Sequence, residues 1–314
     1  DATVVYGNTK FPFKIAKFFA SIHSQSSGNY NVGSILKAIE LYGLLKKNQG
    51  QKNIVHFLNG ERDIRHLGFF KRKFPHTKFI ATFHKPPAIL KKTITDVSAL
   101  RQLDGAIAVG ANQVNFLKEW LQLEQVEYIP HGVDTKFFVP NPSRKKPTTL
   151  LFVGQHLRDF DTFNNTVPKL ATKIESLHIN VVMHPSYTKK IVPHNYIRIL
   201  TDVKDEQLRK LYQEATILYL PMLDSTACNS LLEAMACGLP VITSRVGGNS
   251  EYLRDTQNVL VESRNEAQFI EKTVTLLQNE AILETMGKAS RERALTVEWS
   301  NIAKNINSFY KKLS

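Results

Sequence analysis

Six side chains able to bind a sugar or a phosphate fall close together: Asp224, Ser225, Thr226, Asn229, Ser230 and Glu233. They lie at the start of a predicted helix. The leading N–H groups of a helix have no partner within it and suit a phosphate or a sugar hydroxyl. Asn229 and Glu233 stand one turn apart, so both project from one face. A carboxylate there can accept from two neighbouring hydroxyls at once, which is what a ribose diol requires. The competing reading makes Asn229 a helix cap and Glu233 a solvated carboxylate. Against it, Glu233 sits inside LLEAMACGLPVI, a core-like run in which an idle charge is costly.

The surrounding pattern supplies the elements that must hold these groups. Residues 217–222 are apolar and rich in β-formers and read as a buried strand; residues 223–229 are a polar crossing; residues 230–236 read as a short helix. Gly238 stands where a helix-terminating glycine belongs, and Pro240 bars continuation. Residues 241–243 begin the next strand, and Gly247-Gly248 turns the chain. The unit is βαβ, with its polar loop at the carboxyl end of a strand, where open α/β sheets bind ligands.

The run LLEAMACGLPVITSRVGG resembles the nucleotide-sugar signature of the family-4 (group 1) glycosyltransferases, retaining enzymes of the GT-B fold. The resemblance implies that Glu233 holds the ribose of the donor nucleotide. It also implies a donor-binding set of Gly154, Asp224, Ser225, Thr226, Asn229, Ser230 and Glu233. The family carries a second glutamate eight residues earlier. Here that position is Ser225, with Asp224 one residue before it, so Ser225, Thr226 and backbone amides are expected to handle the donor sugar. After the strand at 149–153, Gly154 has the geometry for a close phosphate approach. The family's arginine and lysine positions carry Gln155 and Phe160, which leaves Arg158 as the expected diphosphate-binding, catalytic cation. The alternative for Arg158 is a helix-surface arginine.

In the first half, the resemblance places His84, in ATFHKPP, on the sugar or acceptor side of the reaction; the alternative is a hydrogen-bonded interdomain histidine. Glu61 and Asp63 follow the preceding strand and either bind acceptor hydroxyls or pair with Arg62 and Arg65. Two carboxylates so close in sequence do not indicate a glycosidase, whose acid and base must flank a bond.

The chain of 314 residues is long enough for two domains, and 42% of it is hydrophobic. Its strands alternate with helices throughout, the mark of parallel α/β sheets. The fold class expected is α/β, two Rossmann-like domains facing across a cleft. The expected boundaries are 1–141 for an acceptor-side domain, 142–297 for the nucleotide-sugar domain, and 298–314 for a helix crossing back to the first. The linker signal is VPNPSRKKPTT, and the boundary is set near Pro142. Further elements expected include strands at 3–6, 53–58, 78–83, 105–109 and 126–129. Helices are expected at 34–47, capped by Ser34, and at 62–70, 112–121, 266–277 and 281–293. The first domain looks incomplete, because no strand with a glycine-bearing loop precedes residue 30, and the start at Asp1 reads as processed or truncated.

The charge balance, 41 Lys and Arg against 28 Asp and Glu, gives +13 and favours anionic partners. The stretch KFPFKIAKFFASIHSQSSG at 10–28 interleaves lysines with aromatics and suits either an acidic membrane interface or an ordinary packed helix. Residues 69–79 form a second basic cluster. No zinc-ligand or RNP-like pattern supports nucleic acid as a partner. No apolar run is long enough to span a bilayer. Cys228 and Cys237 read as buried core thiols in a reducing compartment.

These readings converge on a metal-independent hexosyltransferase without cofactor. It is expected to move a sugar from a UDP- or GDP-sugar to a hydroxyl of a glycan, lipid-linked or polysaccharide-precursor acceptor, with retention. The expected location is cytoplasmic, peripheral at the inner membrane face. The alternative is an inactive GT-B-like binding or scaffold subunit.

Overall fold

The computed structural model describes residues 2–23, 31–141, 143, 146 and 148–313. It divides into two compact units, residues 1–129 with 304–314, and residues 130–303.

The first unit holds α1 (Phe13–His23), α2 (Val32–Lys47), β1 (Asn53–Phe57), α3 (Leu67–Lys73), β2 (Thr77–Phe83), α4 (Pro87–Thr93), β3 (Gly105–Ala108), α5 (Val114–Leu121) and β4 (Val126–Tyr128). Its sheet is parallel in the order β1-β2-β3-β4. Phe79, Ala81 and Phe83 alternate along β2 into a core that also takes Leu41 of α2 and Phe70 of α3. On the other side, His56 Nδ1 lies 2.7 Å from the Tyr310 hydroxyl and its Nε2 lies 2.7 Å from Thr82 Oγ1.

Three local expectations are corrected. Residues 3–6 form no strand; they lie outside any sheet. Helix α2 is capped by Asn31, whose side chain accepts from the Ser34 amide, so Ser34 is the third helical residue of a capping box. The helix expected from residue 62 starts at Leu67, because Glu61 and Asp63 hold the preceding turn in place through side-chain bonds. Helix α1 packs Ala16 and Ala20 against Ile35 of α2 and leaves its larger residues outward, with Phe13 64% and Phe18 62% exposed. The part of the basic stretch from residue 24 onward lies outside the described residues.

The second unit holds β5 (Thr149–Val153), α6 (Phe160–Ala171), β6 (His178–Val182), β7 (Ile197–Leu200), α7 (Asp205–Glu214), β8 (Ile217–Leu220), α8 (Asn229–Ala236), β9 (Val241–Ser244), α9 (Asn249–Tyr252), β10 (Val259–Val261), α10 (Glu266–Leu277), α11 (Glu280–Thr296) and the first part of α12 (Trp299–Leu313). Its parallel sheet runs β7-β6-β5-β8-β9-β10. The first three strands wind outward one way and the next three the other, as in a Rossmann sheet. The reversal falls between β5 and β8, and at such a switch point a crevice opens beyond the carboxyl ends of the strands.

The division between the units falls after Ile129, not near Pro142, which is itself outside the described residues. Residues 130–141 are bound to the second unit by their carbonyls. Arg291 donates to Phe138 O and Thr135 O, and Gln213 donates to Val139 O. At the other end of the chain, α12 starts in the second unit and its residues from 304 onward belong to the first. There Phe309 closes on Gly105, and Lys312 pairs with Glu127 at 2.9 Å.

Candidate functional site

The crevice at the switch point is built from the loops after β5 and β8. Gly154 leaves β5 with φ of +89°, a conformation that favours glycine, and its amide donates to Val182 O at 2.8 Å. The two loops then run against each other. Leu223 N donates to Leu157 O at 2.9 Å and Asp159 N to Pro221 O at 3.0 Å, with an isolated antiparallel bridge between Arg158 and Met222.

Arg158 is 7% exposed and precedes α6, so it is not a helix-surface arginine. Its Nε donates to Val153 O at 2.9 Å and Nη1 to His156 O at 3.0 Å, while Nη2 reaches Ser230 Oγ at 3.2 Å and Cys228 Sγ at 3.4 Å. The guanidinium thus ties the end of β5 to the first turn of α8 and places a positive charge beside the helix N-terminus. Most of its donors are already used by the protein.

Helix α8 begins at Asn229, and Cys228 occupies the cap position without a side-chain cap bond. Asn229 is therefore a first-turn residue with an exposed side chain, which removes the reading of it as the cap. Of the preceding loop, Asp224 Oδ1 accepts from the Ser225 amide at 2.7 Å, and Thr226 is buried. Ser225 is 3% exposed, and its hydroxyl has no hydrogen-bond partner among the described residues. Its carbonyl accepts from Gly248 N at 3.2 Å, and a Cβ on Gly247, whose φ is +50°, would collide with that carbonyl. The Gly247-Gly248 turn is thus the wall against which the loop rests.

Glu233 is not a solvated carboxylate. Almost every residue around it in LLEAMACGLPVI is buried, while it remains partly open, and Tyr212 of α7 donates to its Oε2 at 2.8 Å. Burial pushes its carboxyl up to about 7, with Asp205 adding to the rise and the Tyr212 hydrogen bond opposing it. Tyr212 is a site residue that the sequence analysis did not single out. The available signal was a phenol on a buried stripe, since a buried tyrosine hydroxyl usually has a hydrogen-bond partner. Both cysteines are buried free thiols, and burial pushes Cys237 up to about 12, in the unreactive direction.

His84, Glu61 and Asp63 belong to the first unit. His84 directly follows β2, and its backbone amide and that of Lys85 both donate to Glu61 Oε1. The Glu61 carboxylate is 2% exposed and its Oε2 lies 3.7 Å from His84 Nδ1. Burial works to raise Glu61, but the His84 side chain and the two amides outweigh it and hold the group below its ordinary value. Asp63 accepts from Ser34 Oγ at 2.8 Å and pairs with Lys37 and Arg62, each at 3.1 Å. Both carboxylates are therefore occupied by internal partners: Glu61 fixes the loop that carries His84, and Asp63 fixes the turn before α3. His56, between Tyr310 and Thr82, is lowered to about 4 by burial and by the neighbouring His84, and stays neutral. Among the described residues, no group of three or more His, Cys, Asp or Glu could hold a metal ion, and no helix is long and apolar enough to cross a membrane.

Residues 147–279, which hold the switch-point crevice, match the family model described as "Glycosyl transferases group 1". Among curated proteins, the chain is 24% identical over 212 residues to a component of the human phosphatidylinositol N-acetylglucosaminyltransferase; the match covers 63% of this chain and 43% of that protein. The chain thus spans about half the length or less of that relative. Among solved structures, it is similar to sucrose-phosphate synthase from Thermosynechococcus elongatus, with a TM-score of 0.70 and 19% identity over 88% of this chain and 77% of that one. It is also similar to Anabaena HepE in complex with UDP and glucose, with a TM-score of 0.68 and 12% identity over 87% and 81% of the respective chains. Residues 147–279 of the second unit are thus similar to the group 1 glycosyl transferases, and the two parallel-sheet α/β units have the fold of the GT-B glycosyltransferases.

Proposed function

We propose that the chain transfers a hexosyl group from a nucleotide-sugar to a hydroxyl acceptor, with retention of anomeric configuration. The observation that carries this reading is Glu233: a partly open carboxylate, on a helix that starts at the switch point, held by a hydrogen bond from Tyr212. Its other oxygen and remaining lone pairs accept the two ribose hydroxyls. The diphosphate lies against Gly154 and the first amides of α8, with the positive charge of Arg158 beneath it. The buried, unpartnered Ser225 hydroxyl and Asp224 meet the donor sugar from the loop. In the reaction the sugar's bond to the diphosphate breaks, the acceptor oxygen bonds to the same carbon, and the acceptor's proton leaves with the nucleoside diphosphate. The donors supplied are a guanidinium, amides and hydroxyls rather than a carboxylate cluster, so the proposed stabilisation of the leaving group needs no metal.

His84 is assigned to the sugar or acceptor side, held in place by Glu61. UDP in a structural neighbour favours a UDP-sugar, with a GDP-sugar as the second donor to test. The human relative's name specifies a lipid acceptor for that protein. The outward aromatics and lysines of α1 fit the same class of acceptor here, with the protein peripheral on an acidic membrane face.

The test is calorimetric binding of UDP, GDP and ADP to this chain and to Glu233→Ala. One nucleotide should bind, and the substitution should weaken it about ten- to a hundred-fold, the effect of losing hydrogen bonds to a charged group. Binding to none of the three would remove the donor site. Binding without turnover of any nucleotide-sugar would leave an inactive scaffold.

A further inference from the structure

Glu233 owes its position to a residue outside its own motif. Tyr212 lies on α7, and its ring is fully buried against the edge of Phe138, 6.0 Å between centroids and at 81°. Phe138 is in turn fixed by Arg291, which donates to its carbonyl at 2.9 Å. The phenol therefore has little freedom, and it donates its one proton to Glu233 Oε2 at 2.8 Å. Oε1 takes no hydrogen bond from the described residues and stays available. The phenol is also raised well above its ordinary value, by burial and then by Glu233, so it remains a neutral donor across the working range.

We infer that Tyr212 is the positioning residue for the donor: it pins one oxygen of Glu233 and turns the other toward the ribose diol. The inference rests on the reading of Glu233 as the ribose-binding group. The titratable groups that act on the carboxylate are Tyr212 and Asp205 of α7; Cys237 after α8 feels the carboxylate, together with Arg291 of α11 and Arg209 of α7. Asp205 raises the carboxyl and the Tyr212 hydrogen bond lowers it. A protonated Glu233 keeps only one oxygen as a full acceptor, so donor affinity falls as pH drops through about 7.

The experiment is calorimetric titration with UDP-glucose and GDP-mannose between pH 6 and pH 8. A nucleotide-sugar is used because its diphosphate, esterified at both ends, has no proton to lose in that range. For the wild type, affinity should rise about five- to tenfold across the range, following the ionised fraction. Glu233→Gln should bind weakly with a flat profile. Tyr212→Phe keeps the ring and should bind about tenfold more weakly at pH 7, with its midpoint moved upward. Asp205→Asn, which leaves the packing intact, should move the midpoint downward, and it serves as a second variant if Tyr212→Phe does not fold.

The positioning role is overturned if Glu233→Gln weakens binding while Tyr212→Phe keeps both the affinity and the midpoint of the wild type. It is likewise overturned if neither Tyr212→Phe nor Asp205→Asn moves the midpoint. If Glu233→Gln binds as well as the wild type, or the wild type binds neither probe, the ribose reading itself has failed, a result distinct from the first two.

Discussion

Arg158 and Ser230, 72 positions apart in sequence, meet at 3.2 Å in the floor of the crevice. This contact joins the loop after β5 to the helix after β8, the two elements on either side of the sheet's reversal. It makes Arg158 a structural brace as well as a charge. A lysine keeps the charge but cannot reproduce the fork of donors to Val153 O, His156 O and Ser230. Arg158→Lys should therefore lose roughly 1–3 kcal/mol of stability, read by urea denaturation, as well as nucleotide-sugar affinity. A surface arginine would show no such loss of stability.

The Gly247 turn is a second constraint, on the loop at residues 224–226. Alanine there meets both an unfavourable φ of +50° and the Ser225 carbonyl. Gly247→Ala should cost roughly 1–3 kcal/mol. It should also displace residues 224–226, so donor affinity should fall in the same preparation. Unchanged melting and binding would show that the loop does not rest on this turn.

Glu61 is expected to act through the backbone of His84. Glu61→Ala leaves two amides without their carboxylate and should destabilise the protein by roughly 2–4 kcal/mol, whereas Glu61→Gln keeps an acceptor and should cost less. Because the folded-state value of Glu61 is depressed, its stabilising effect is present above its ordinary value of 4.5 and is lost as pH falls through the lower folded value. Acid unfolding of Glu61→Gln, compared with the wild type, checks the sign.

Glu233 has the opposite sign. Its folded value, about 7, lies above the ordinary 4.5, so the stability associated with its bound proton is full below 4.5 and is lost as pH rises through 7. Glu233→Gln should therefore be more stable than the wild type at pH 8, by up to about 3 kcal/mol, with no gain at pH 4. Denaturant midpoints at the two pH values decide this. A gain in stability accompanied by a loss of nucleotide affinity would mark a carboxylate kept buried for binding.

Helix α1 and the residues leading into it predict a surface effect. Vesicles containing phosphatidylserine should retain the protein at low salt, and neutral vesicles should not. Replacing Lys10, Lys14 and Lys17 by glutamate removes about 1 kcal/mol per lysine near an anionic surface and should abolish retention. Retention unchanged by this variant would mean that another face makes the contact.

Much of this arrangement was legible in the chain itself. Alternating apolar runs and helical stripes marked most of the strands and helices, because those signals are local and repeat every two or 3.6 residues. The strand at 149–153 and the helix at 266–277 match the structure end to end. The run around Glu233 marked a carboxylate that is not simply solvated, because a charge in a core-like segment needs a reason. Other features required the tertiary structure. The helix expected at 62–70 starts five residues later because Glu61 and Asp63 bond to groups far from them in sequence. Residues 130–141 belong to the second unit through carbonyls that accept from Arg291 and Gln213. The order β7-β6-β5-β8-β9-β10, the burial of Arg158 and the pairing of Tyr212 with Glu233 come from crossovers that bring distant segments together. Sequence periodicity tells each residue which face it occupies. Only the winding of the sheet decides which residue it meets there.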